Sequence, residues 1–184
     1  MNRRSDLPVL TVDMDGVFCS PILGLNIGIH RTFLDPEAEP PLASPPPRWL
    51  GAPLDHLRFD LRVPLAGSRE ALERLRAVRQ LVVVTGRRTY PSWWMRRHGF
   101  SALFDRVLIN ETHFSSPHYK LEAVGMMDAS EHIDDDPRTA QLLAQRSRAQ
   151  VFLREWPKNR GVALDPRVER VRDLSELADR LGAP

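Results

Sequence analysis

The chain has 184 residues, 42% hydrophobic and 27% charged, a composition typical of a folded domain with its own core rather than of a disordered segment. The net charge is +2 and the basic residues are spread along the chain, so charge alone does not predict nucleic-acid binding. One cysteine excludes an internal disulfide framework, and no apolar run reaches the roughly 18 residues of a membrane helix. Because no apolar stretch follows the basic N-terminal segment, we expect no signal peptide and a cytoplasmic location.

The first predicted element is a buried strand, and a proline-rich insertion follows it. Leu7 to Val12, with the sequence LPVLTV, form the predicted strand. Seven prolines between Pro36 and Pro53 exclude a long helix or a central strand, because proline lacks a backbone N–H. We therefore predict a core formed by residues 1–19 and 67–184, with a small insertion over residues 20–66. Within the insertion, residues 24–30 are a candidate hairpin or flap.

Helices and strands alternate after the insertion. Ser68 is a candidate N-cap of a helix over 69–78, in which Leu72, Leu75 and Val78 recur at helical spacing. The later predicted elements are a strand ending at 85–86, a helix over 92–98, a strand over 106–109, a helix over about 118–126, a strand from 131, a helix from 137, strands over 149–153 and 168–171, and a closing helix from 174. This alternation predicts an α/β fold, a three-layer Rossmann-like parallel sheet with helices on both faces.

Polar residues stand where three of these strands end. They are Asp13 and Asp15 after the first strand, Thr85 and Gly86 after the second, and Asp134, Asp135 and Asp136 after the fourth. The carboxyl ends of parallel strands meet at one edge of a sheet, where ligands bind. Crowded carboxylates need a compensating cation, and Mg2+ prefers oxygen ligands. The Thr85 hydroxyl and the Gly86 N–H suit a phosphate group, and Lys120, one of two lysines, supplies a positive charge.

Each signal also has a purely structural explanation. An Asp-x-Asp pair is common in surface turns, Thr-Gly-Arg is a turn signal, acids before a proline are typical of a helix N-terminus, and a single lysine is usually solvated. The four signals occur here in one order, and three of them end predicted strands, which favours a shared site. One carboxylate of such a site can attack phosphorus, and a second can protonate the leaving oxygen.

This ordered set resembles the motifs of the haloacid dehalogenase superfamily, whose members are mostly phosphohydrolases. TVDMDGVF is similar to its first motif, LVVVTGR to its second, Lys120 to its third and HIDDDP to its fourth. The dehalogenases of the superfamily lack the second aspartate of the first motif. Asp15 is present here, so the resemblance favours phosphoryl chemistry.

The resemblance implies a role for each matching residue. Asp13 would be the nucleophile, and Asp15 the general acid and base. Thr85, Gly86 and Lys120 would bind the transferring phosphate, and Lys120 would also contact the nucleophile as a catalytic residue. The implied Mg2+ ligands are Asp13, the backbone carbonyl of Asp15, Asp134 and Asp135, and the sequence leaves open which of residues 134–136 contacts the metal.

A narrower resemblance to the 5'(3')-deoxyribonucleotidase branch lies in the segments IDDDPRTAQLLAQ, VFLREWPKNRG and RVRDLSEL. That branch has a Pro-Trp-Asn-like loop where this chain has Trp156-Pro157-Lys158-Asn159, and it carries a helical cap where this chain is proline-rich. We therefore predict a Mg2+-dependent phosphomonoester hydrolase that acts through an aspartyl-phosphate, with a nucleotide as the first substrate candidate.

Three other functions remain open from the sequence. The enzyme could act on sugar phosphates or nucleic-acid ends, it could transfer the phosphoryl group to an alcohol, or the chain could bind phosphate without catalysis. The predicted partner is a small phosphorylated substrate and no membrane, while nucleic-acid binding and a homodimer stay open.

Several other side chains could be assigned either to the site or to the scaffold. Arg87 and Arg88 either reach a second phosphate or lie at a solvated helix start. Packing is favoured over base stacking for Trp93 and Trp94, and over reactivity for Cys19. Structural roles are expected for His113, His118 and His132.

Overall fold

The computed structural model describes residues 6–21, 33–35 and 61–184. The proline-rich segment 36–53 and the candidate hairpin over 24–30 lie outside the described residues, so the extent of the insertion stays a prediction. Within the described part, no helix combines the length and the apolar character that crossing a membrane requires.

The described chain contains six strands and five helices that alternate along the sequence. They are β1 (Val9–Val12), α1 (Ser68–Val78), β2 (Gln80–Thr85), α2 (Ser92–Arg97), β3 (Arg106–Ile109), α3 (Ser116–Met126), β4 (Glu131–Asp134), α4 (Pro137–Arg146), β5 (Gln150–Arg154), β6 (Val168–Val171) and α5 (Leu174–Arg180). The predicted elements are therefore present, with boundaries that differ by one or two residues.

All six strands form one parallel sheet in the order β3-β2-β1-β4-β5-β6. The central strand β1 pairs with β2 on one side and β4 on the other, with Val12 opposite both Val83 and Ile133. The strand order reverses between β1 and β4, and a crevice for ligands lies beyond the strand ends at such a point. The predicted Rossmann-like α/β fold is confirmed.

Alternating side chains of the strands bury the two faces of the sheet separately. Leu10, Val12 and Ile133 belong to a large core that includes residues of α1, α2 and α5. Val151 and Leu153 pack with residues of α3 and α4 on the opposite face. The side chains of the strands are therefore used in the two cores on either face of the sheet. The residues that follow the strand ends lie outside these cores and are available for a site.

The start of α1 differs from the prediction. Ser68 is the first helical residue rather than the cap, and Gly67 precedes it with a positive φ of 70°. The Ser68 hydroxyl donates to the carbonyl of Leu65 at 2.7 Å instead of accepting from the first turn. The predicted side-chain cap was wrong because the chain enters this helix through a tight turn that glycine permits.

A short antiparallel pairing joins the two ends of the predicted insertion. Ser20 N–H donates to the Val63 carbonyl at 2.8 Å, and Leu65 N–H donates to the Phe18 carbonyl at 2.9 Å. Cys19 and Pro64 form a bridge between them. The returning segment is thereby held directly beside the residues that follow β1.

Candidate active site

Lys120 binds two carboxylates that follow different strands. Its ammonium nitrogen lies 2.9 Å from Asp13 Oδ1 and 2.7 Å from Asp134 Oδ2. Asp13 follows β1, Asp134 ends β4, and Lys120 lies in α3, so the fold brings together residues from three separate elements. All three side chains are nearly inaccessible to solvent. Such a buried cluster is stable only when its charges are paired and hydrogen-bonded.

A further set of hydrogen bonds fixes the orientation of Asp134. Its Oδ1 accepts from the backbone N–H of Asp136 at 2.9 Å, and its Oδ2 lies 3.2 Å from His132 Nε2. His132 Nδ1 lies 2.8 Å from the hydroxyl of Thr11, which donates to the Glu131 carbonyl. This series of contacts, from Thr11 through His132, therefore holds the Asp134 carboxylate in one rotamer.

The pKa values of the three groups diverge because one cation serves two carboxylates. Burial and the nearby Asp134 and Asp15 charges raise the pKa of Asp13 to about 8, against the opposing effect of Lys120. Burial acts to raise the pKa of Asp134 too, but Lys120 and the His132 hydrogen bond outweigh it and lower this pKa. Burial acts to lower the pKa of Lys120, yet Asp13 and Asp134 raise it above its usual range. Lys120 therefore compensates Asp134 well and Asp13 incompletely.

Asp135 completes a cluster of three acids that fits a divalent cation. Asp13, Asp134 and Asp135 each offer an oxygen, and these oxygens lie within 4.8 Å of one another. Burial and the neighbouring carboxylates raise the pKa of Asp13, so a second cation beside Lys120 would favour its charged form. A donor set made of carboxylate oxygens suits Mg2+ rather than a softer metal. The residues present therefore fit the predicted ion.

Asp136 has a different task from its two neighbours. It is the N-cap of α4, and its side chain accepts from the backbone N–H of Arg138 at 3.1 Å. The Arg138 guanidinium also binds this carboxylate, with Nη2 at 2.9 Å from Oδ2. Of the three acids that the sequence left open, Asp134 and Asp135 thus face the cluster and Asp136 begins the helix.

The loop after β5 supports the backbone next to the acids. The Asn159 side-chain amide donates to the carbonyls of Asp135 at 3.0 Å and Arg154 at 2.8 Å, and its oxygen accepts from Trp156 N–H. Asn159 is completely buried. The Trp-Pro-Lys-Asn segment therefore ties β5 to the turn that carries Asp135.

The end of β5 and the loop after it also bind the turn that follows β1. Arg154 Nη1 and Trp156 Nε1 both donate to the Gly16 carbonyl, at 2.7 Å and 2.9 Å. The Arg154 guanidinium stacks 4.3 Å above the Trp156 ring. Gly16 has a φ of 80°, a conformation that favours glycine. The position of Asp15, one residue earlier, is thus fixed by residues at the end of β5 and just after it.

Two arginines bind Asp15. Arg87 donates from Nε to Oδ2 at 2.8 Å and from Nη2 to Oδ1 at 2.6 Å, a bidentate pair. Arg62, from the end of the predicted insertion, donates from Nη1 to Oδ1 at 2.5 Å. Burial acts to raise the pKa of Asp15, but Arg87 and Arg62 outweigh it and hold this pKa below its usual value.

Thr85 and Gly86 lie at the end of β2, beside the start of α3. Thr85 is buried, and its hydroxyl accepts from the Arg87 N–H at 3.3 Å. A side chain on Gly86 would place its Cβ 2.4 Å from the Ser116 hydroxyl and 2.8 Å from the Ser116 Cβ. Glycine is required here because α3 approaches the backbone too closely for any larger residue.

Most of the remaining candidate residues make contacts within the scaffold, whereas Trp93 is exposed instead of packed in the core. Arg88 donates to the backbone carbonyl of Thr112, so it organises the loop before α3. Trp94 is fully buried and donates from Nε1 to the Arg62 carbonyl at 2.7 Å, while Trp93 is partly exposed with Arg97 over its ring. Burial raises the pKa of the Cys19 thiol to about 12, which keeps it protonated and unreactive.

The predicted histidines have different environments. His132 orients Asp134, which is a structural role inside the site that its position two residues before Asp134 could have indicated. His118 lies 3.1 Å from the Ser115 hydroxyl at the start of α3. His113 is exposed in the preceding loop.

Sequence reasoning did not predict three residues of the site: Arg62, Arg154 and Ser116. Arg62 lies in a segment predicted only as insertion, and Ser116 was placed before its helix. Trp156 and Asn159 had been noted as part of a loop resemblance, which was the one signal that pointed to the contacts with Asp135 and Gly16.

Comparison with known proteins shows similarity at the level of the fold. No family model and no curated protein matches the sequence. A haloacid-dehalogenase-like family hydrolase from Xanthomonas campestris has a TM-score of 0.60 at 16% identity, with 96% of each chain covered. The D,D-heptose 1,7-bisphosphate phosphatase from B. bronchiseptica, complexed with magnesium and phosphate, has a TM-score of 0.59 at 18% identity over 95% of this chain and 98% of that one. CbbY from Rhodobacter sphaeroides, in complex with phosphate, has a TM-score of 0.61 at 14% identity over 93% and 96%.

These structures share the single parallel sheet and the flanking helices with the present chain. The chain therefore has the α/β fold found in hydrolases of the haloacid dehalogenase superfamily. The identities are too low for the similarity to carry over an activity.

Proposed function

We propose that the protein is a Mg2+-dependent phosphomonoester hydrolase in which Asp13 forms an aspartyl-phosphate. The observation that supports this most strongly is the contact of one buried lysine with two acids from different strands, Asp13 and Asp134, beside a third acid, Asp135. Such an arrangement costs stability unless an additional cation binds, and it therefore favours a functional explanation over a structural one.

In this proposal, Asp13 attacks the phosphorus atom of the bound ester. A bond forms between an Asp13 carboxylate oxygen and phosphorus while the bond from phosphorus to the leaving oxygen breaks. Lys120, at 2.9 Å from Asp13 Oδ1, keeps the nucleophile in place and stabilises the charge on the phosphoryl oxygens. The Thr85 hydroxyl and the Gly86 N–H bind those oxygens from the end of β2.

Asp15 moves the protons in both half-reactions. Because Arg87 and Arg62 hold the pKa of Asp15 below its usual value in the free protein, Asp15 takes up a proton from solvent as the substrate binds. It donates this proton to the leaving oxygen, so that an alcohol departs, and then takes a proton from the water that attacks the aspartyl-phosphate. Inorganic phosphate leaves, and the Asp13 carboxylate is restored. A Mg2+ ion held by Asp13, the Asp15 carbonyl, Asp134 and Asp135 would supply Lewis-acid stabilisation of the phosphoryl charge.

The second acid of the first motif separates this proposal from dehalogenation. A dehalogenase of this superfamily, by the resemblance described above, lacks an aspartate at the position of Asp15. Here Asp15 is present, partly exposed at 28% of its side-chain surface, and held in place by Arg87. Its presence supports phosphoryl chemistry, which needs a proton donor for the leaving oxygen.

The proposal includes two classes of substrate for the same reaction. A mononucleotide remains the first candidate, and sugar phosphates are the second, because two structurally similar proteins are described with phosphate bound and one of them is a sugar-bisphosphate phosphatase. Both candidates are small phosphorylated molecules, and both predict the same first step at Asp13.

Phosphate release from a panel of phosphomonoesters tests the proposal. The panel contains 5' and 3' mononucleotides, deoxynucleotides, sugar phosphates and phosphorylated oligonucleotides, each with Mg2+ and with EDTA, for the wild type and Asp13→Asn. We expect release that needs Mg2+ and is reduced at least about a thousandfold in Asp13→Asn. Turnover that persists in this variant would contradict the mechanism, and no turnover by the wild type would favour a phosphate-binding protein.

A further inference from the structure

A cavity lies between α2 and the edge strand β3, and none of its lining residues belongs to the proposed active site. Its volume is about 290 Å³, near the lower end of the range for small-molecule sites. It is lined by residues around α2, by the loop that follows this helix, and by the first two residues of β3. Because β3 pairs only with β2, no further strand of the described chain covers this edge of the sheet. The space is named the α2–β3 cavity below.

The α2–β3 cavity is separated from the acids along the strands. Arg106, which lines it, lies opposite Val82 in the pairing of β3 with β2. Val82 precedes Thr85 by three residues, which corresponds to about 10 Å along a strand. The acids lie farther away still, beyond the ends of β1 and β4. A ligand of this cavity would therefore not contact the groups that the proposed reaction uses.

One wall of the cavity is apolar. Met95 and Phe104 belong to the large core, and Val107 packs against that core. The Tyr90 ring also lines the cavity, and 53% of its surface is exposed. An apolar group bound here would remove this surface from water, which is favourable. The cavity therefore suits the apolar part of a small molecule.

The charged residues of the cavity favour an anion. Arg96 of α2 and Arg106 of β3 are both exposed, and within the described part of the chain neither guanidinium forms a hydrogen bond or an ion pair. Asp105 also lines the cavity, and its Oδ2 accepts from the backbone N–H of Leu81 at 3.0 Å, so this oxygen is used within the sheet. Two cations face one acid, and guanidinium groups bind carboxylate and phosphate oxygens with matching geometry.

Two serine hydroxyls add neutral donors to the same cavity. Ser92 begins α2, and Ser101 lies in the loop between α2 and β3. Neither hydroxyl binds another of the described residues. A few polar groups next to an apolar wall are the combination that orients a small ligand in a pocket.

We propose that the α2–β3 cavity binds a small organic anion, in which a carboxylate or phosphate group is attached to an apolar group. The two guanidinium groups bind the anionic group, the serine hydroxyls donate to it, and the apolar wall contacts the remainder. The volume accommodates a ring with a short acidic side chain and excludes a polymer. This site is additional to the proposed phosphatase site and does not depend on it.

Three probes that share a benzyl group test the inference. Phenylacetate carries a carboxylate, benzylphosphonate carries a phosphonate, and phenylacetamide is the neutral counterpart of phenylacetate. Each is titrated into the 15N-labelled full chain and followed by NMR, in EDTA so that no divalent cation attracts the phosphonate to the acids. We expect shifts of the amides over residues 90–96 and 101–107, and binding of one or both anionic probes at least about tenfold tighter than of the amide. The comparison of the two anionic probes distinguishes a carboxylate ligand from a phosphate ligand.

Single arginine variants locate the anion. Arg96→Ala and Arg106→Ala should each weaken binding of the preferred anionic probe at least about fivefold. The matched control is Arg97→Ala, which removes the same charge from the next residue of α2 without changing the lining of the cavity, and should keep the wild-type affinity. Equal affinity for the amide, unchanged affinity in both lining variants, or an equal loss in Arg97→Ala would overturn the site.

The variant Asp13→Asn separates this inference from the proposed function. It should bind the anionic probe with the wild-type affinity, because Asp13 does not line the cavity. Shifts that centre on the residues around Asp13, or a loss of binding in this variant, would assign the probe to the proposed active site and overturn the second site. Binding at the cavity by a wild type that hydrolyses no ester would contradict the proposed function alone.

Discussion

Lys120 neutralises two buried carboxylates at once, and its removal should affect both stability and chemistry. We expect Lys120→Gln to lower the free energy of unfolding by about 3–5 kcal/mol, because Asp13 and Asp134 would lose their common buried partner. Urea denaturation in EDTA measures this loss. The control Arg148→Gln, at an exposed cation, should change stability by less than about 0.5 kcal/mol.

The double variant Asp13→Asn/Lys120→Gln gives the coupling between the two residues. Once Asp13 has no charge, the loss of the ammonium group leaves one carboxylate unpaired instead of two. The double variant should therefore be more stable than Lys120→Gln alone. Equal instability of the two variants would show that Asp13 is not the group that Lys120 stabilises.

Gly86 is constrained by contact rather than by backbone conformation. We expect Gly86→Ala to cost about 1–3 kcal/mol in the free energy of unfolding, because the added Cβ would overlap the Ser116 hydroxyl and Cβ. Adding Ser116→Gly should recover part of the loss. The matched control is Gly125→Ala, in the α3 helix that also contains Ser116. A Cβ at Gly125 meets no atom within 4 Å, so alanine should be neutral or stabilising there.

The acids of the site could be predicted from the sequence because they stand where strands of an alternating α/β pattern end. Asp13 ends an apolar run that indicates a buried strand, whereas the run before Asp134 contains a single apolar residue, Ile133, and was predicted from the alternation of elements and the HIDDDP resemblance. The sheet order then places the two strand ends together. Lys120 was selected because the chain has only two lysines and a phosphate site needs a cation, and the resemblance then implied its role, since a single lysine near a helix start has no structural signature of its own. Arg62 could not be predicted, because its contact with Asp15 depends on how a long insertion returns to the core.

The loop between β5 and β6 acts on the site through backbone contacts. Asn159 binds the Asp135 carbonyl, and such supporting contacts commonly change metal affinity by 10–100-fold when removed, an order-of-magnitude figure. We therefore expect Asn159→Ala to raise the Mg2+ concentration at half-maximal activity about tenfold. Mg2+ titrations of phosphate release measure this concentration.

A variant at the other end of the same loop separates this effect from loop destabilisation. The Gln141 side chain accepts from the backbone N–H of Asp165 at 2.7 Å, so Gln141→Ala removes one loop contact away from the acids. This control should leave the Mg2+ requirement as in the wild type. A similar increase in both variants would mean that Asn159 stabilises the loop without positioning the metal ligands.

The site exists only when the whole sheet is assembled, so metal binding should be coupled to folding. Asp13 follows β1 and is distant in sequence from Lys120 in α3 and Asp134 in β4. Mg2+ at about one hundred times its dissociation constant should stabilise the wild type by about 2.7 kcal/mol. Thermal denaturation with Mg2+ and with EDTA measures this difference.

Asp13→Asn should change the stability of the protein and its response to Mg2+ in different directions. In EDTA we expect it to be more stable, by about 1–3 kcal/mol, because it removes a buried carboxylate that Lys120 compensates incompletely. Mg2+ should stabilise this variant much less than the wild type. The control Asp128→Asn, at an exposed aspartate, should keep the wild-type response. An Asp13→Asn variant that is destabilised in EDTA would argue for a structural role of Asp13.

The central claim is that Asp13 forms a covalent bond with phosphorus. The most direct measurement mixes the wild type with Mg2+ and its best substrate, quenches the reaction in acid within one turnover, and analyses the peptides by mass spectrometry. We predict one added phosphoryl group on the peptide that contains Asp13, and none when Asp13→Asn is treated in the same way. Turnover without any phosphorylated peptide, or a phosphoryl group on another residue, would contradict the account.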